Sequence, residues 1–423
     1  MDFLEELRWR GMLQDMTPGL EEALSQGSLT GYIGFDPTAP SLTIGNYVQV
    51  MLLSLFQRSG HTPIILMGGA TGRIGDPSGK DKERELKTEE ELDRNLEFQK
   101  KQFDKFLDFE GPNAAIVVNN YDFYKDMNVL NFLRKVGKTL TVNYMMSKES
   151  VKKRIETGIS FTEFSYQLLQ GYDFQCLFEQ HHCQLQMGGS DQWGNITAGT
   201  EFIRKNLSQN AYAATTPLLT KADGRKFGKS EEGNIWLDPN MTSPYKFYQF
   251  WINADDADIP TFTRYFTLHS QQEIEAREKD LAEDPRELKR LLAEELTVRV
   301  HSKEDYESVL KVSELLFNRK ARKETLLDLS LQDLKTVAEE IPSFSIPKDS
   351  LADGLNIVDL LSEATQVVNS KGDARRAIKN NAISVNKDKI GSHETIINGE
   401  ALLHGQYMMV ENGKKNKYMI IAE

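Results

Sequence analysis

Lys226 and Lys229 lie three residues apart in Gly224-Arg225-Lys226-Phe227-Gly228-Lys229-Ser230, a spacing suited to neutralising a leaving polyphosphate from a loop. The Gly-Lys-Ser in this run is one residue short of a Walker A loop. A second cluster, Gly68-Gly69-Ala70-Thr71-Gly72-Arg73-Ile74-Gly75-Asp76-Pro77-Ser78-Gly79-Lys80, follows the β-type run Pro63–Met67. So many glycines imply positive φ angles or close backbone approach to a ligand. The spacing matches neither G-x-G-x-x-G nor Walker A, so a dinucleotide oxidoreductase has little support.

Three further constellations have the chemistry of a binding pocket. Gly31 to Thr38 reads as a strand ending in an acidic turn at Asp36, and Leu42-Thr43-Ile44-Gly45-Asn46 as the opening of a helix. Helix N-termini favour phosphate through their unpaired N–H groups and dipole, and Gly45 would let a flat ring lie against the backbone. Between Phe161 and Asp173, a helix would place Tyr166, Gln170 and Asp173 within an arc of ~60°. A phenol, an amide and a carboxylate on one stripe suit a polar pocket wall; a solvent-exposed stripe is the other reading. Leu185 to Asn195 reads as a strand entering a glycine-rich turn, and Asp191 just beyond it suits a ribose hydroxyl. His181-His182-Cys183 are adjacent and cannot readily converge on one ion, and no second ligand pair has zinc spacing, so no protein-bound metal is expected.

The elements that must position these residues are short strands at Tyr32–Phe35, Pro63–Met67, Ala115–Asn119 and Cys183–Met187, alternating with amphipathic segments at Tyr47–Ser59, Thr88–Phe109 and Phe161–Gln180. That alternation predicts an α/β fold with a Rossmann-like, doubly wound and mainly parallel sheet, whose ligands sit beyond the strand carboxyl ends. From about Ser243 to Glu340, helix signals dominate, including capping-box patterns at Asp284 and Ser302, and four or five helices are expected. Pro342 and Pro347 interrupt the pattern and suggest a linker over 341–354. Beyond it, Ile357–Ser370 and Gly372–Asn380 read as helices. Ile383–Val385, Glu400–Leu403, Tyr407–Val410 and Tyr418–Ile421 read as strands of a small α+β domain.

Composition limits the classes that remain. The chain has 423 residues and a formal net charge of −12, which excludes a generally basic nucleic-acid coat. No apolar run approaches the ~20 residues needed to span a bilayer, and the acidic start lacks a secretory n-region and h-region. Two cysteines, Cys176 and Cys183, suit a reducing compartment, so a cytoplasmic protein without membrane attachment is expected. From residue 355 onward nine basic side chains face eight acidic ones, so the tail escapes the acidity of the rest and offers a contact for a polyanion.

Taken together, the motifs resemble those of the bacterial-type tyrosyl-tRNA synthetases, a class I aminoacyl-tRNA synthetase family. Thr43-Ile44-Gly45-Asn46 stands where the class has its HIGH motif, and Lys226-Phe227-Gly228-Lys229-Ser230 where it has KMSKS. Gly75-Asp76-Pro77-Ser78-Gly79-Lys80, Phe164-Ser165-Tyr166 and Gly188-Gly189-Ser190-Asp191-Gln192-Trp193-Gly194-Asn195 are close to signatures of the tyrosyl branch. The likeness covers nearly the whole chain. Its departure is Thr43, where the family usually has a histidine; Asn46 in the last position is a familiar variant.

The resemblance implies activation of tyrosine by ATP to tyrosyl-adenylate and pyrophosphate, then transfer to the terminal ribose of tRNA(Tyr). By matching motifs, Tyr32 and Asp173 would bind the phenolic hydroxyl and Asp76, Tyr166 and Gln170 the amino group, with Gln192 near the reacting carboxylate. Asp36, Gly189 and Asp191 would face the ribose, Gly45 the adenine ring, and Leu218 and Leu219 would offer backbone to adenine. Thr38, Thr43, Asn46, Lys80, Arg84, Lys226 and Lys229 would surround the phosphates, with Mg²⁺ arriving on ATP. The implied organisation is a catalytic domain over 1–220, the KMSKS-type loop and a helical anticodon-side domain over 221–340, a linker over 341–354, and an RNA-binding domain over 355–423. In that last domain Arg375, Arg376, Lys379, Lys414, Lys415 and Lys417 would meet tRNA. A homodimer is implied as well. Two alternatives stay open: a non-catalytic RNA-binding relative, and a small-molecule nucleotidyltransferase, which would need no such tail.

Overall fold

A computed structural model describes residues 2–78, 87–155, 158–230, 233–280, 285–318, 320–413 and 415–423, with backbone alone at Ser150, Lys153, Lys229, Ser230 and Asp280. The chain packs as two units, Met1–Thr242 with Phe250–Val300, and Ser243–Gln249 with His301–Glu423.

The first unit is built on six strands: β1 (Asp15–Met16), β2 (Thr30–Phe35), β3 (Thr62–Met67), β4 (Ile116–Asn119), β5 (Cys183–Gly189) and β6 (Tyr212–Thr216). Their order is β1-β6-β5-β2-β3-β4, parallel throughout except for the edge strand β1. β3 is buried from Pro63 to Met67, the continuous apolar run expected of a strand covered on both faces. The chain leaves β2 toward β3 and β4 on one side and returns through β5 and β6 on the other, so strand order reverses between β2 and β5. A crevice opens at the carboxyl ends of such strands. Register places Tyr32 beside Ile64 on one side and Gln186 on the other.

Three helices frame that crevice: α1 (Ile44–Arg58), α2 (Phe161–His181) and α3 (Trp193–Leu207). Ser160 caps α2, accepting from the Glu163 amide, and the Glu163 carboxylate also takes a buried two-pronged bond from Arg154 at 2.8 and 2.9 Å. α2 ends at His182, whose φ of 53° turns the chain into β5 within one residue. A β-carbon on Gly171 would stand 2.5 Å from the Phe202 ring, so glycine is what lets α2 and α3 pack closely.

Seven helices lie between Pro244 and Glu340 among the described residues, where four or five were expected, and they divide between the units. Residues 250–300, together with the lysine-bearing loop, pack in the first unit. Phe227 is tucked against Phe250, Trp251, Phe262 and Phe266, and this aromatic cluster ties the loop and these helices into the first unit across the boundary expected at residue 220. Asp284, the expected cap of the helix Pro285–Val300, lies outside the described residues.

In the second unit, helices Lys303–Phe317 and Leu331–Glu340 start at Ser302 and Ser330, each hydroxyl accepting a first-turn amide. A five-stranded sheet follows, made of β7 (Ser343–Ile346), β8 (Ile383–Val385), β9 (Asp388–Lys389), β10 (Tyr407–Asn412) and β11 (Asn416–Ala422), in the order β9-β8-β10-β11-β7. The segment expected as a linker therefore contains an edge strand, parallel to β11. Pro342 and Pro347 bracket β7 rather than break it, since a residue without N–H is tolerated just outside an edge strand. Two other expectations also change. The helix from Ile357 stops at Ala364, where the extended Thr365 returns its hydroxyl to the Leu360 carbonyl at 2.6 Å. The strand expected at Glu400–Leu403 is instead a tight 3₁₀ turn over Gly399–Ala401, opened by the Asn398 side chain.

Candidate active site

The cavity at the β2/β5 switch point has a volume of about 330 Å³ and lies wholly within the first unit. Of the residues proposed from sequence, it brings together Tyr32, Asp36, Thr38, Gly45, Asn46, Asp76, Tyr166, Gln170, Asp173, Gly189, Asp191, Gln192 and Leu218. The stripe on α2 does face one wall. Leu219, Thr43 and Lys226 stand outside the lining, though Lys226 is near enough for its charge to favour ionised Asp191. Lys80 and Arg84 lie outside the described residues, as does the side chain of Lys229.

At the deep end, Tyr32 is buried and its hydroxyl has no hydrogen-bond partner among the described residues. Burial, and then the charge of Asp173, push this phenol far up, so it stays a neutral donor. Asp173 is 1% exposed and accepts from Asn120 Nδ2 at 2.9 Å and from the Tyr124 hydroxyl at 2.6 Å. Desolvation outweighs those two bonds and drives its carboxyl up to about 7. An unpaired phenol beside a buried acid forms a floor complementary to another hydroxyl, which both donates and accepts.

In the middle of the cavity, Asp76 takes Gln192 Nε2 at 2.6 Å and the Ser78 amide at 2.9 Å. Gln170 Oε1 is buried without a partner among the described residues, an acceptor suited to a cationic amine. Toward the mouth, Tyr166 donates to Asp36 Oδ2 at 2.9 Å and Thr71 to Asp36 Oδ1 at 2.7 Å. Thr71 in turn accepts from Asn120 at 3.0 Å, so one chain of bonds ties Asp36 to Asp173. At the rim, Asp191 is raised by desolvation and by the charge of Asp76. Four carboxylates line one cavity, which attracts an ammonium group and requires cations from elsewhere before polyphosphate can approach.

Sequence reasoning missed Asn120, Thr71, Gln49 and Gln186. Asn120 had one available signal, its place immediately after a parallel strand. In the glycine-rich loop Gly75 has the positive φ expected, +89°, while other glycines answer to side chains. β-Carbons on Gly68 and Gly69 would stand 2.1 Å from Asp36 Oδ1 and 2.2 Å from Asn119 Oδ1, so the close approach is to these side chains.

Thr43 is committed to its helix. Its hydroxyl donates to Asn46 Oδ1 at 2.7 Å and accepts from the Asn46 amide at 3.3 Å, while Asn46 Oδ1 takes the Thr43 amide at 3.0 Å. This capping box occupies the motif's first and last positions. The Ile44 amide donates to Ile235 O at 2.9 Å, which fastens the segment after the lysine loop to the helix start.

In the second unit, Arg375, Arg376 and Lys379 are exposed on the helix Lys371–Lys379, and Lys415 is exposed at the β10–β11 turn. Lys417 is not available in the same way: its ammonium donates to the carbonyls of Leu315 and Leu316, the latter at 2.9 Å, and burial pulls its pKa down. Lys414 lies outside the described residues.

Residues 24–318 match the family model for tRNA synthetases class I (W and Y), and residues 333–421 that of a Tyrosine–tRNA ligase SYY-like C-terminal domain. The chain is 55% identical to a tyrosine–tRNA ligase of Cytophaga hutchinsonii, with 99% of each chain covered, and 53% identical to that of Parabacteroides distasonis, with 100% of each covered. Among solved structures, a C-terminally truncated mitochondrial tyrosyl-tRNA synthetase of Aspergillus nidulans superposes with a TM-score of 0.67 at 29% identity, over 75% of this chain and 94% of that one.

Proposed function

The chain belongs to the tyrosine–tRNA ligases of the class I synthetases, and from that membership we propose how its own residues divide the work. The enzyme activates L-tyrosine with ATP, giving tyrosyl-adenylate and pyrophosphate, and transfers the tyrosyl group to tRNA(Tyr). Because the substrate carboxylate is itself the nucleophile, the protein's task is positioning and charge stabilisation.

The observation that carries the site assignment is the cavity floor. Tyr32 donates to the substrate phenol and Asp173 accepts from it, two groups that phenylalanine would leave unpaired. Asp76, Tyr166 and Gln170 take the ammonium group, and Gln192 stands by the carboxylate. Asp36, Gly189 and Asp191 meet the ribose, with Gly45 and the backbone of Leu218 and Leu219 against adenine. Thr38, Asn46, Lys80, Arg84, Lys226 and Lys229 surround the phosphates, and Mg²⁺ enters bound to ATP.

Helices between Lys303 and Glu340 take the anticodon side, and the domain from 355 binds tRNA through Arg375, Arg376, Lys379 and Lys415. A homodimer is supported by apolar side chains left in solvent on short helices and at the start of α2: Leu130 is 74% and Phe161 76% exposed, and Val129, Leu133 and Val142 are exposed as well. Cytoplasmic residence is supported by Cys176 and Cys183, both buried and unpaired. No described helix is long and apolar enough to cross a membrane.

Tyrosine-dependent ATP–pyrophosphate exchange with Asp173→Ala tests the floor. We expect a severe loss of tyrosine use and of discrimination against phenylalanine. In tyrosyl-tRNA synthetases as a class that discrimination is about 10⁵, a magnitude that belongs to the class and does not follow from this cavity alone. Specificity within threefold of the parent would reject the assignment.

A further inference from the structure

Tyr124 does not line the cavity. It closes the short helix Tyr121–Tyr124 behind the floor, and its hydroxyl stands 2.6 Å from Asp173 Oδ1 and 2.8 Å from the carbonyl of Leu169. Leu169 lies four residues before Asp173 in α2, so this one phenol touches both the carboxylate and the helical turn that carries it. A phenol has a single proton and serves only one of two acceptors at a time. Ionised Asp173 is the stronger acceptor and takes it; a protonated Asp173 can instead donate to the Tyr124 oxygen, which frees the phenol to turn to Leu169.

We propose that Tyr124 is a positioning residue for amino-acid selection: by donating to Asp173 Oδ1 it holds that carboxylate ionised and fixed to its helical turn, ready to accept the proton of the substrate phenol. The proposal rests on the reading that Asp173 is that acceptor. A protonated Asp173 would offer the substrate's hydroxyl proton only a neutral oxygen, a weaker acceptor than a carboxylate.

The groups around Asp173 decide how much depends on Tyr124. Asp36, beyond the end of β2, acts by its charge to favour the neutral acid, in the same direction as burial. Tyr32 on β2, and Tyr166 and Cys176 on α2, are themselves pushed upward and are neutral at neutral pH. The bonds from Tyr124 and Asn120 oppose this, and they are the two that pull the carboxyl down. With the carboxyl held at about 7, the loss of either donor tells at neutral pH.

The test is the pH dependence of kcat/KM for tyrosine in ATP–pyrophosphate exchange, using the full-length enzyme, Tyr124→Phe and Asp173→Asn. Since kcat/KM reports the free enzyme, its acid limb should follow Asp173. In Tyr124→Phe we expect this limb to move up by about one unit. At pH 7 that gives a loss of about fivefold, carried by KM, which closes as pH approaches 9. In Asp173→Asn the limb and the discrimination against phenylalanine should both vanish. If the Tyr124→Phe profile overlays the parent, or is depressed equally at every pH, Tyr124 only packs and the proposal is overturned while the Asp173 assignment stands. If Asp173→Asn keeps both limb and discrimination, the assignment itself falls and takes the proposal with it.

Discussion

Gly228 rests on the first turn of α1: a β-carbon there would stand 3.1 Å from Ile44 Cγ2 and 3.2 Å from the Gly45 amide nitrogen. The loop carrying Lys226 and Lys229 therefore shares a surface with the helix start that lines the cavity mouth. Gly228 also has a φ of +88°, a backbone state that other residues rarely adopt. Gly228→Ala should cost about 1 kcal/mol in backbone strain and lift the loop from Gly45. The expected result is slower adenylate formation with little change in the tyrosine dissociation constant. Pre-steady-state measurement of both separates these effects, and an activation rate equal to the parent's would show that the contact is not needed.

Lys229→Ala should cost about 2–4 kcal/mol of barrier stabilisation if that lysine meets pyrophosphate mainly in the transition state. Thr43→Ala should affect the barrier less, because its hydroxyl is already spent on Asn46. Its main consequence should be the loss of a helix cap, about 1 kcal/mol, seen as a drop of roughly 2–4 °C in Tm. Thr43→Ser, which keeps the cap, should melt like the parent. Equal melting of all three proteins would remove the cap from the account.

Asp173 should make the unliganded enzyme less stable as pH rises. Its carboxyl ionises at about 7 in the fold against 3.8 for an unperturbed aspartate, so between those values the native state binds more protons than the unfolded chain. Stability attributable to this group is greatest below pH 4, declines up to pH 7, and then levels off, a difference of up to about 4 kcal/mol. Asp173→Asn should therefore gain thermal stability relative to the parent at pH 8 compared with pH 5, while losing tyrosine use. A stability difference that does not change with pH would contradict the burial argument.

The basic residues of the second unit should separate into two behaviours. Replacing Arg375, Arg376 and Lys415 with alanine should weaken tRNA charging in a salt-dependent way and leave pyrophosphate exchange intact. Lys417→Ala removes donors from the last carbonyls of the helix Lys303–Phe317 and should lower the stability of this unit by about 1–3 kcal/mol. Thermal melts alongside charging assays at two salt concentrations distinguish them. Similar melting of the two variants would return Lys417 to the tRNA surface.

Much of the site was legible because it is local. Tyr166, Gln170 and Asp173 are spaced to share a helix face, and the acids at Asp36 and Asp191 follow strands, so spacing groups them even though it does not tell a pocket wall from an exposed stripe. Thr71 and Tyr124 were not legible, because each owes its role to a partner at least 35 residues away in the chain, and Asn120 offered only its place after a strand. The same limit explains the edge strand at Ser343–Ile346: proline punctuation is visible in sequence, but the partner that makes the segment a strand is β11, more than 70 residues later. Phe227 shows the converse, since the loop that carries it, read from sequence only for its lysines, is anchored by four aromatic rings further along the chain.

Strand β2 and helix α2 run past each other in opposite directions along the cavity. Tyr32 on the strand stands by Asp173 on the helix at the deep end, and Asp36 bonds Tyr166 at the mouth. Four residues of extended chain span ~13 Å and seven of helix ~10 Å, so two rails of similar length are bonded at the mouth and face each other at the deep end. Covalent repeat distances thereby set the spacing of the wall residues, and the side chains of Tyr32 and Asp173 close the deep end. The pair works as a gauge: a para-substituent bulkier than hydroxyl meets the side chains of Tyr32 and Asp173, so these two are the ones to trim if it is to be admitted.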